Sequence, residues 1–488
     1  MMPRRPAVAA LVAALLGAAC VLGFAPFDAW PGAWLIPVAS LGGLFLLCRA
    51  TPGAGRAAGL GFAWGTGFFL CGVSWVYVSL SEFGGMAAHA AAAATLAFCL
   101  YLALFPAAVA WAFRRLAGAD SRPVVDALRF AGLWTLGEWL RGTLFTGFPW
   151  LAIGYAQSPP SPLAGWASVL GVYGLCFLVA LIGGLLAAWR RPGIWAIVLA
   201  LLGSGALLRA MDWTQPVGPP LKVALLQGSV PQSLKWDPRR LPLSIETYLG
   251  LARANPAPLV VLPETAIPLY FSEVPREVLR GLTANGEALI GVAIGTTDGG
   301  YTNGVVALTP QLAVSAYAKR HLVPFGEYPP PGFAWFFRYA RIPMSNFTAG
   351  PASQAPLEIA GQRIAPNICY EDLFGEELLP SLPSATLLVN LSNTAWFGRS
   401  LAQPQHLQIA KLRALETGRS MLRATNTGMT ALVTPDGRVA AALPPFQTSA
   451  LVVEAQGRSG LTPYARWGNA LALLLALGAC LPALRRRR

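Results

Sequence analysis

The stretch Ile364-Ala365-Pro366-Asn367-Ile368-Cys369-Tyr370-Glu371-Asp372 runs from an apolar, strand-forming segment straight into a polar turn that carries a thiol. The carboxyl end of a strand, just before a turn, is where α/β folds usually place a reacting group. Two other segments end in the same way. Leu259-Val260-Val261-Leu262-Pro263 leads into Glu264, and the alternating run Val314-Ser315-Ala316-Tyr317-Ala318 leads into Lys319. Around them, Lys222–Gln227, Leu259–Leu262, Ala288–Ile294, Gly304–Leu308, Ile364–Cys369, Thr386–Leu391 and Ala431–Thr434 read as strands. Gln405–Thr417, just after Pro404, reads as a helix. The pattern predicts an α/β sheet domain with helical layers over residues 210–465.

Outside that region the chain changes character. Of its 488 residues 55% are hydrophobic and only 12% charged, with a mean hydropathy of +0.52. Soluble domains carry roughly 25% charged residues, so this composition excludes disorder, collagen-like repeats and a small disulfide scaffold. It describes a membrane protein. Apolar runs close to the ~20 residues that span a bilayer occur at 7–24, 33–48, 58–80, 87–113, 124–140, 163–189, 193–209 and 467–484. The fifth is the weakest, because it holds Asp126, Arg129 and Glu138. Parity supports it nonetheless. Arg4 and Arg5 precede the first run, Arg49 and Arg56 follow the second, and Arg114, Arg115 and Arg122 follow the fourth. Arg190 and Arg191 follow the sixth, and Arg485 to Arg488 the eighth. All fall on one side only if the fifth run crosses, and the positive-inside rule makes that side cytoplasmic.

The expected layout is a seven-span membrane domain over 1–209, an extracytoplasmic domain over 210–465, and a last span with an Arg tail over 466–488. Both termini are then cytoplasmic. The first run resembles a signal peptide, but six further spans before residue 210 make it a retained helix.

The formal charge of +14 does not point to nucleic acid. Residues 210–465 hold 19 Lys and Arg against 17 Asp and Glu, while the remainder holds 17 Arg against five acids. The excess therefore flanks apolar runs, and no basic block interleaves with aromatics. Of seven cysteines, six lie in the expected spans, as small apolar groups. Cys369 alone lies between 210 and 465, in a compartment that favours disulfides but without a partner. A lone thiol there is either buried and inert or retained for its reactivity. His89, His321 and His406 with one domain cysteine do not make a zinc ligand set.

Leu262-Pro263-Glu264-Thr265, Lys319-Arg320-His321-Leu322-Val323-Pro324-Phe325-Gly326-Glu327 and Asn367-Ile368-Cys369-Tyr370-Glu371 resemble the Glu, Lys and Cys motifs of the carbon–nitrogen hydrolase (nitrilase) superfamily. Asn390-Leu391-Ser392-Asn393-Thr394-Ala395-Trp396-Phe397-Gly398 resembles a further segment, with Thr394 where that superfamily often has Asp. Glu138-Trp139-Leu140-Arg141-Gly142, Thr146-Gly147-Phe148-Pro149-Trp150 and Gly154-Tyr155 are similar to segments of its membrane-embedded branch, the apolipoprotein N-acyltransferase family, as is the whole layout.

The resemblance implies an α-β-β-α sandwich on the periplasmic side of a bacterial inner membrane. It implies catalytic residues Glu264, Lys319 and Cys369, no cofactor, a phospholipid acyl donor and a diacylglyceryl-apolipoprotein acceptor. Glu264, if desolvated, has a raised proton affinity and takes the thiol proton. Cys369 attacks an ester carbonyl, and Lys319 faces the developing oxyanion. Glu327 orients Lys319 or assists proton transfer; its alternative is a loop carboxylate in a Pro-rich turn. Tyr370 and Glu371 flank the nucleophile, with packing as the alternative role. Trp236 matches a segment that contacts lipid, against an ordinary interfacial aromatic. Glu138 and Arg141, three apart at a helix end, are expected to pair.

Three rivals stay open on sequence alone. A membrane-anchored amidase or nitrilase would use the same triad with water as acceptor. A Cys–His catalyst would recruit His321 or His406. A transporter with a binding domain calls for ionisable groups within several spans, and beyond the fifth run these are nearly absent.

Overall fold

Each apolar run folds as a helix in the computed structural model, which describes residues 6–117, 122–235, 237–297, 299–332 and 346–484. Among the described residues four helical stretches are long and apolar enough to cross a membrane: Pro6–Gly23, Ala88–Leu116, Pro162–Leu186 and Pro192–Arg209. A bent pair, Ala54–Gly72 with Val76–Phe83, meets the same test only when its two helices, 57° apart, are taken together. Leu35–Ala50 and Ala470–Leu481 are apolar but shorter. The run 58–80, expected to be continuous, breaks where Trp75 turns inward, its ring 4.8 Å from that of Trp150 and 4.9 Å from that of Phe397.

The charged helix Pro123–Thr143 buries its charges against its neighbours. Asp126 meets Arg49 at 3.1 Å and Arg129 at 3.6 Å. Arg141 pairs with Glu138, as expected, and also donates to the carbonyls of Phe148 and Trp150. Buried charge is tolerated only when paired in this way.

Apart from the short antiparallel pair Gln215–Pro216 and Arg458–Ser459, the strands among the described residues are β1 (Leu221–Gln227), β2 (Leu259–Val261), β3 (Glu287–Gly295), β4 (Tyr301–Leu308), β5 (Val314–Ala318), β6 (Leu357–Ile359), β7 (Gln362–Ile368), β8 (Leu387–Ser392), β9 (Met421–Thr425), β10 (Ala431–Val433), β11 (Val439–Ala442) and β12 (Ser449–Ala455). They form two six-stranded sheets, in the orders β12-β1-β2-β3-β4-β5 and β11-β10-β9-β8-β7-β6. In each sheet three central strands run parallel, β1-β2-β3 and β7-β8-β9, with antiparallel partners outside them. Central parallel strands are buried on both faces, and β8 and β9 are buried at every residue.

One face of each sheet packs on the other through Val223, Leu225, Val261, Leu289, Ile364, Ile368, Val389 and Leu422. The outer face of the first sheet lies under the helices Leu241–Ala254 and Arg276–Leu282. The outer face of the second lies under Ala402–Thr417. The layers thus run helix, sheet, sheet, helix.

Ala402–Thr417 has a second neighbour. Leu407, Ala410 and Ala414 face the sheet, while Ile409, Leu412 and Leu415 join the core of the membrane helices. Polar bonds join the same two parts: Trp150 Nε1 to Gln405 at 2.8 Å, Gln405 Nε2 to the Gly72 carbonyl at 3.2 Å, and the Val172 N–H to Glu416 at 2.7 Å. A helix buried on all sides shows no simple amphipathic stripe.

Candidate active site

The two parallel triplets place the ends of β2 and β7 where Glu264 and Cys369 follow. Cys369 opens a short 3-10 turn rather than ending the strand, with φ of 52°. A non-glycine residue with positive φ is strained and held by its surroundings. Thr265, next to Glu264, and Phe325, in the loop after Lys319, have φ of 45° and 63°. The turns that present the acid, the cation loop and the thiol all share this conformation.

Lys319 follows β5, and its N–H donates to the Asn303 carbonyl on the adjoining β4 at 2.7 Å. Its Nζ lies 2.9 Å from the Glu327 carboxylate and 3.6 Å from Glu264 Oε1. Asn303 Nδ2 bridges the two acids, donating to Glu264 Oε1 at 2.7 Å and Glu327 Oε1 at 2.8 Å. The Asn393 N–H donates to Glu264 Oε2 at 2.7 Å, and the Val323 N–H to Glu327 Oε2 at 2.7 Å. Glu327 is therefore part of the cluster, not a loose loop carboxylate. Sequence reasoning missed Asn303, Asn393 and Lys235.

Electrostatics correct one expectation. Burial alone pushes the Glu264 carboxyl up, but Lys319, Asn303, Lys235 and the Asn393 N–H together hold it below the ordinary carboxylate range. Its proton affinity is lowered, not raised, because four positive or donating groups outweigh desolvation. The Cys369 thiol moves the other way, well above its usual range, through burial and then the Glu264 charge; Lys319 opposes, and Glu327 and Asp372 add to the rise. Burial would discharge Lys319, yet Glu327 and Glu264 keep it firmly protonated. At rest the site is thus thiol, carboxylate and ammonium.

Glu371 ties the cation's loop to the nucleophile's turn. Its Oε1 accepts from Tyr317 Oη at 2.9 Å, Arg320 N at 2.7 Å and His321 N at 3.2 Å, while Oε2 accepts from Ile368 N at 2.6 Å. Burial outweighs the Lys319 charge and these donors and raises its carboxyl to about 7. Tyr370 Oη donates to the Gly147 carbonyl at 2.9 Å, seating the nucleophile's turn on the loop after Pro123–Thr143. Trp236 lies outside the described residues. Thr394 is buried, its hydroxyl 3.3 Å from that of Thr427.

Neither histidine offers its ring to the sulfur. His406 Nε2 lies 2.7 Å from Asp372 Oδ1 and 3.2 Å from the Cys369 carbonyl, and its Nδ1 lies 3.3 Å from Arg423. His321 stacks on Phe374 at 3.6 Å and meets Glu377 at 3.1 Å.

Comparison with known proteins agrees along both parts of the chain. Residues 16–185 match the apolipoprotein N-acyltransferase N-terminal domain, and residues 222–464 match the carbon-nitrogen hydrolase family. The apolipoprotein N-acyltransferase of Nitrosomonas europaea is 47% identical, covering 98% of this chain and 98% of its own. Those of Ralstonia nicotianae and Chromobacterium violaceum are each 46% identical, covering 98% of this chain and 94% of theirs. With both parts matched in order and relatives this similar over nearly the whole length, the chain belongs to the apolipoprotein N-acyltransferase family of acyltransferases.

Proposed function

We propose that the protein moves a fatty acyl chain from a membrane phospholipid to the α-amino group of a diacylglyceryl-cysteine at a lipoprotein N-terminus, through a thioester on Cys369. The observation that carries this reading is the buried set of Glu264, Lys319 and Cys369, seated on membrane helices through the Tyr370–Gly147 bond. In the first half-reaction the sulfur attacks the ester carbonyl as Glu264 takes its proton. The Lys319 ammonium faces the oxyanion; losing one such donor commonly costs ~10²–10³ in rate. Glu264 then gives its proton to the departing alcohol oxygen of the lysolipid. In the second half, the amine attacks the thioester, an amide forms, and its proton passes by way of Glu264 to the sulfur.

Because the resting thiol is protonated and Glu264 ionised, proton transfer accompanies attack rather than preceding it. A ground-state thiolate is not needed. Each buried CH₂ holds a lipid in the bilayer by ~0.8 kcal/mol, so a site using two lipid substrates belongs at the membrane surface. We place eight spans around it, with 1–209 and 466–488 in the inner membrane. In this arrangement 210–465 is on the periplasmic side, and the Arg clusters and both termini are cytoplasmic.

Mass spectrometry of the Cys369 peptide after exposure to phosphatidylethanolamine tests this. A gain of one fatty acyl mass, absent in Cys369→Ala, is expected. An unmodified peptide under turnover conditions would overturn the covalent route. Steady release of free fatty acid without an amine acceptor would favour hydrolysis instead.

A further inference from the structure

Of the four lysines between residues 210 and 465, two reach the site. Lys235 Nζ lies 2.7 Å from Thr265 Oγ1 and 3.2 Å from the backbone carbonyl of Glu264 itself. The residue is 4% exposed, and among the described residues no carboxylate lies within ion-pair distance of it. An ammonium has three donors, and two neutral oxygens occupy two of them here. Burying a charge in this way costs several kcal/mol, and an apolar side chain of similar volume is often the more stable choice. Fold stability therefore gives no reason for a cation at this position.

The surroundings give one. Three carboxylates, Glu264, Glu327 and Asp372, act on the Cys369 sulfur, and Lys319 is the cation that opposes them. Lys319 is also bound to Glu327 and shared with Glu264. Lys235 approaches Glu264 by its peptide, and the Glu264 charge, like that of Cys369 whenever its proton has left, favours the ammonium form of Lys235.

We infer that Lys235 is a second cation of the active site, which keeps Glu264 ionised and adds positive potential at Cys369. It acts through Glu264 and is a positioning residue rather than one that touches the reacting atoms. This rests on the acyl-thioester reading above.

The test uses the full chain in detergent micelles with phosphatidylethanolamine, following thioester formation on Cys369 by intact mass from acid to alkaline pH. Lys235→Arg, Lys235→Gln and Lys235→Met are compared with the wild type, each with a thermal melt to show that it is folded. An opposite charge at close range shifts a carboxyl by about 1–3 pH units. The acid limb, set by Glu264, is therefore expected to rise by about one pH unit in the Gln and Met variants, and to stay in place in the Arg variant.

Burial pushes Lys235 down to about 8, against Glu264 and Cys369, so the wild type loses this charge above that pH while arginine keeps it. The rate of Lys235→Arg relative to wild type should then climb through pH 8. Uncharged variants with the wild-type acid limb, whatever their rates, would overturn the inference. So would an Arg variant shifted as far as Gln, or a flat Arg-to-wild-type ratio. If wild type itself forms no thioester, the underlying reading fails and takes this inference with it. A thioester with unmoved limbs sinks the inference alone.

Discussion

Glu264 stays ionised in a place where burial alone would neutralise it, and Asn303 is one of the groups responsible. Its single amide nitrogen serves Glu264 and Glu327 at once. A hydrogen bond to a charged group is worth ~1.5–3 kcal/mol, so Asn303→Leu should slow thioester formation by about tenfold to a hundredfold. Stopped reactions read by intact mass would show it, and a rate within twofold of wild type would refute the bridging role. Glu264, Lys319 and Cys369 stood out in the sequence because each follows an apolar run. Asn303 was not, since Asn303-Gly304 has the form of a hairpin turn signal. In the fold it sits inside β4, where Gly304 leaves room for Ile294; a Cβ there would fall 2.3 Å from Ile294 Cδ1.

Among the elements, the loop after β5 and the turn after β7 belong to different sheets and are joined by Glu371. Replacing it by alanine leaves buried donors unpaired, which costs at least ~2 kcal/mol. Glu371→Ala should lower the unfolding temperature and slow acylation together, whereas a loss of rate at unchanged stability would assign Glu371 to the chemistry. The helix Pro123–Thr143 makes a sharper case. Removing Arg141 strands the buried Glu138 and two carbonyls, for which ~3–5 kcal/mol is expected. Glu138→Gln with Arg141→Ala should cost less than the two single changes summed, as read by thermal melts in detergent. The Glu138–Arg141 spacing made this pair readable in advance. β9 was hidden, because Arg423 and Thr425 interrupt its apolar character, yet both are fully buried, Arg423 on Asp372 at 2.9 Å.

At the scale of the whole molecule, positive charge beside apolar runs predicts the orientation, and labelling can check it. In a Cys71→Ala background, Glu82→Cys should react with an impermeant maleimide on intact cells, and Arg56→Cys only after lysis. The reverse pattern would invert the topology. Span number was harder to read, because Leu35–Ala50 is short and 54–83 is bent. The periodicity of Ala402–Thr417 told little for a related reason: its two apolar faces answer to two different neighbours. That helix is a party wall. Residues 210–465 produced alone would bare Ile409, Leu412 and Leu415 to water and leave Gln405 and Glu416 without the groups they bind. Such a fragment should precipitate, and sheets grafted onto these spans without that helix's second apolar face should fail at the same seam. The two parts are accordingly expected to hold their shape only as neighbours, each supplying a wall of the other's house.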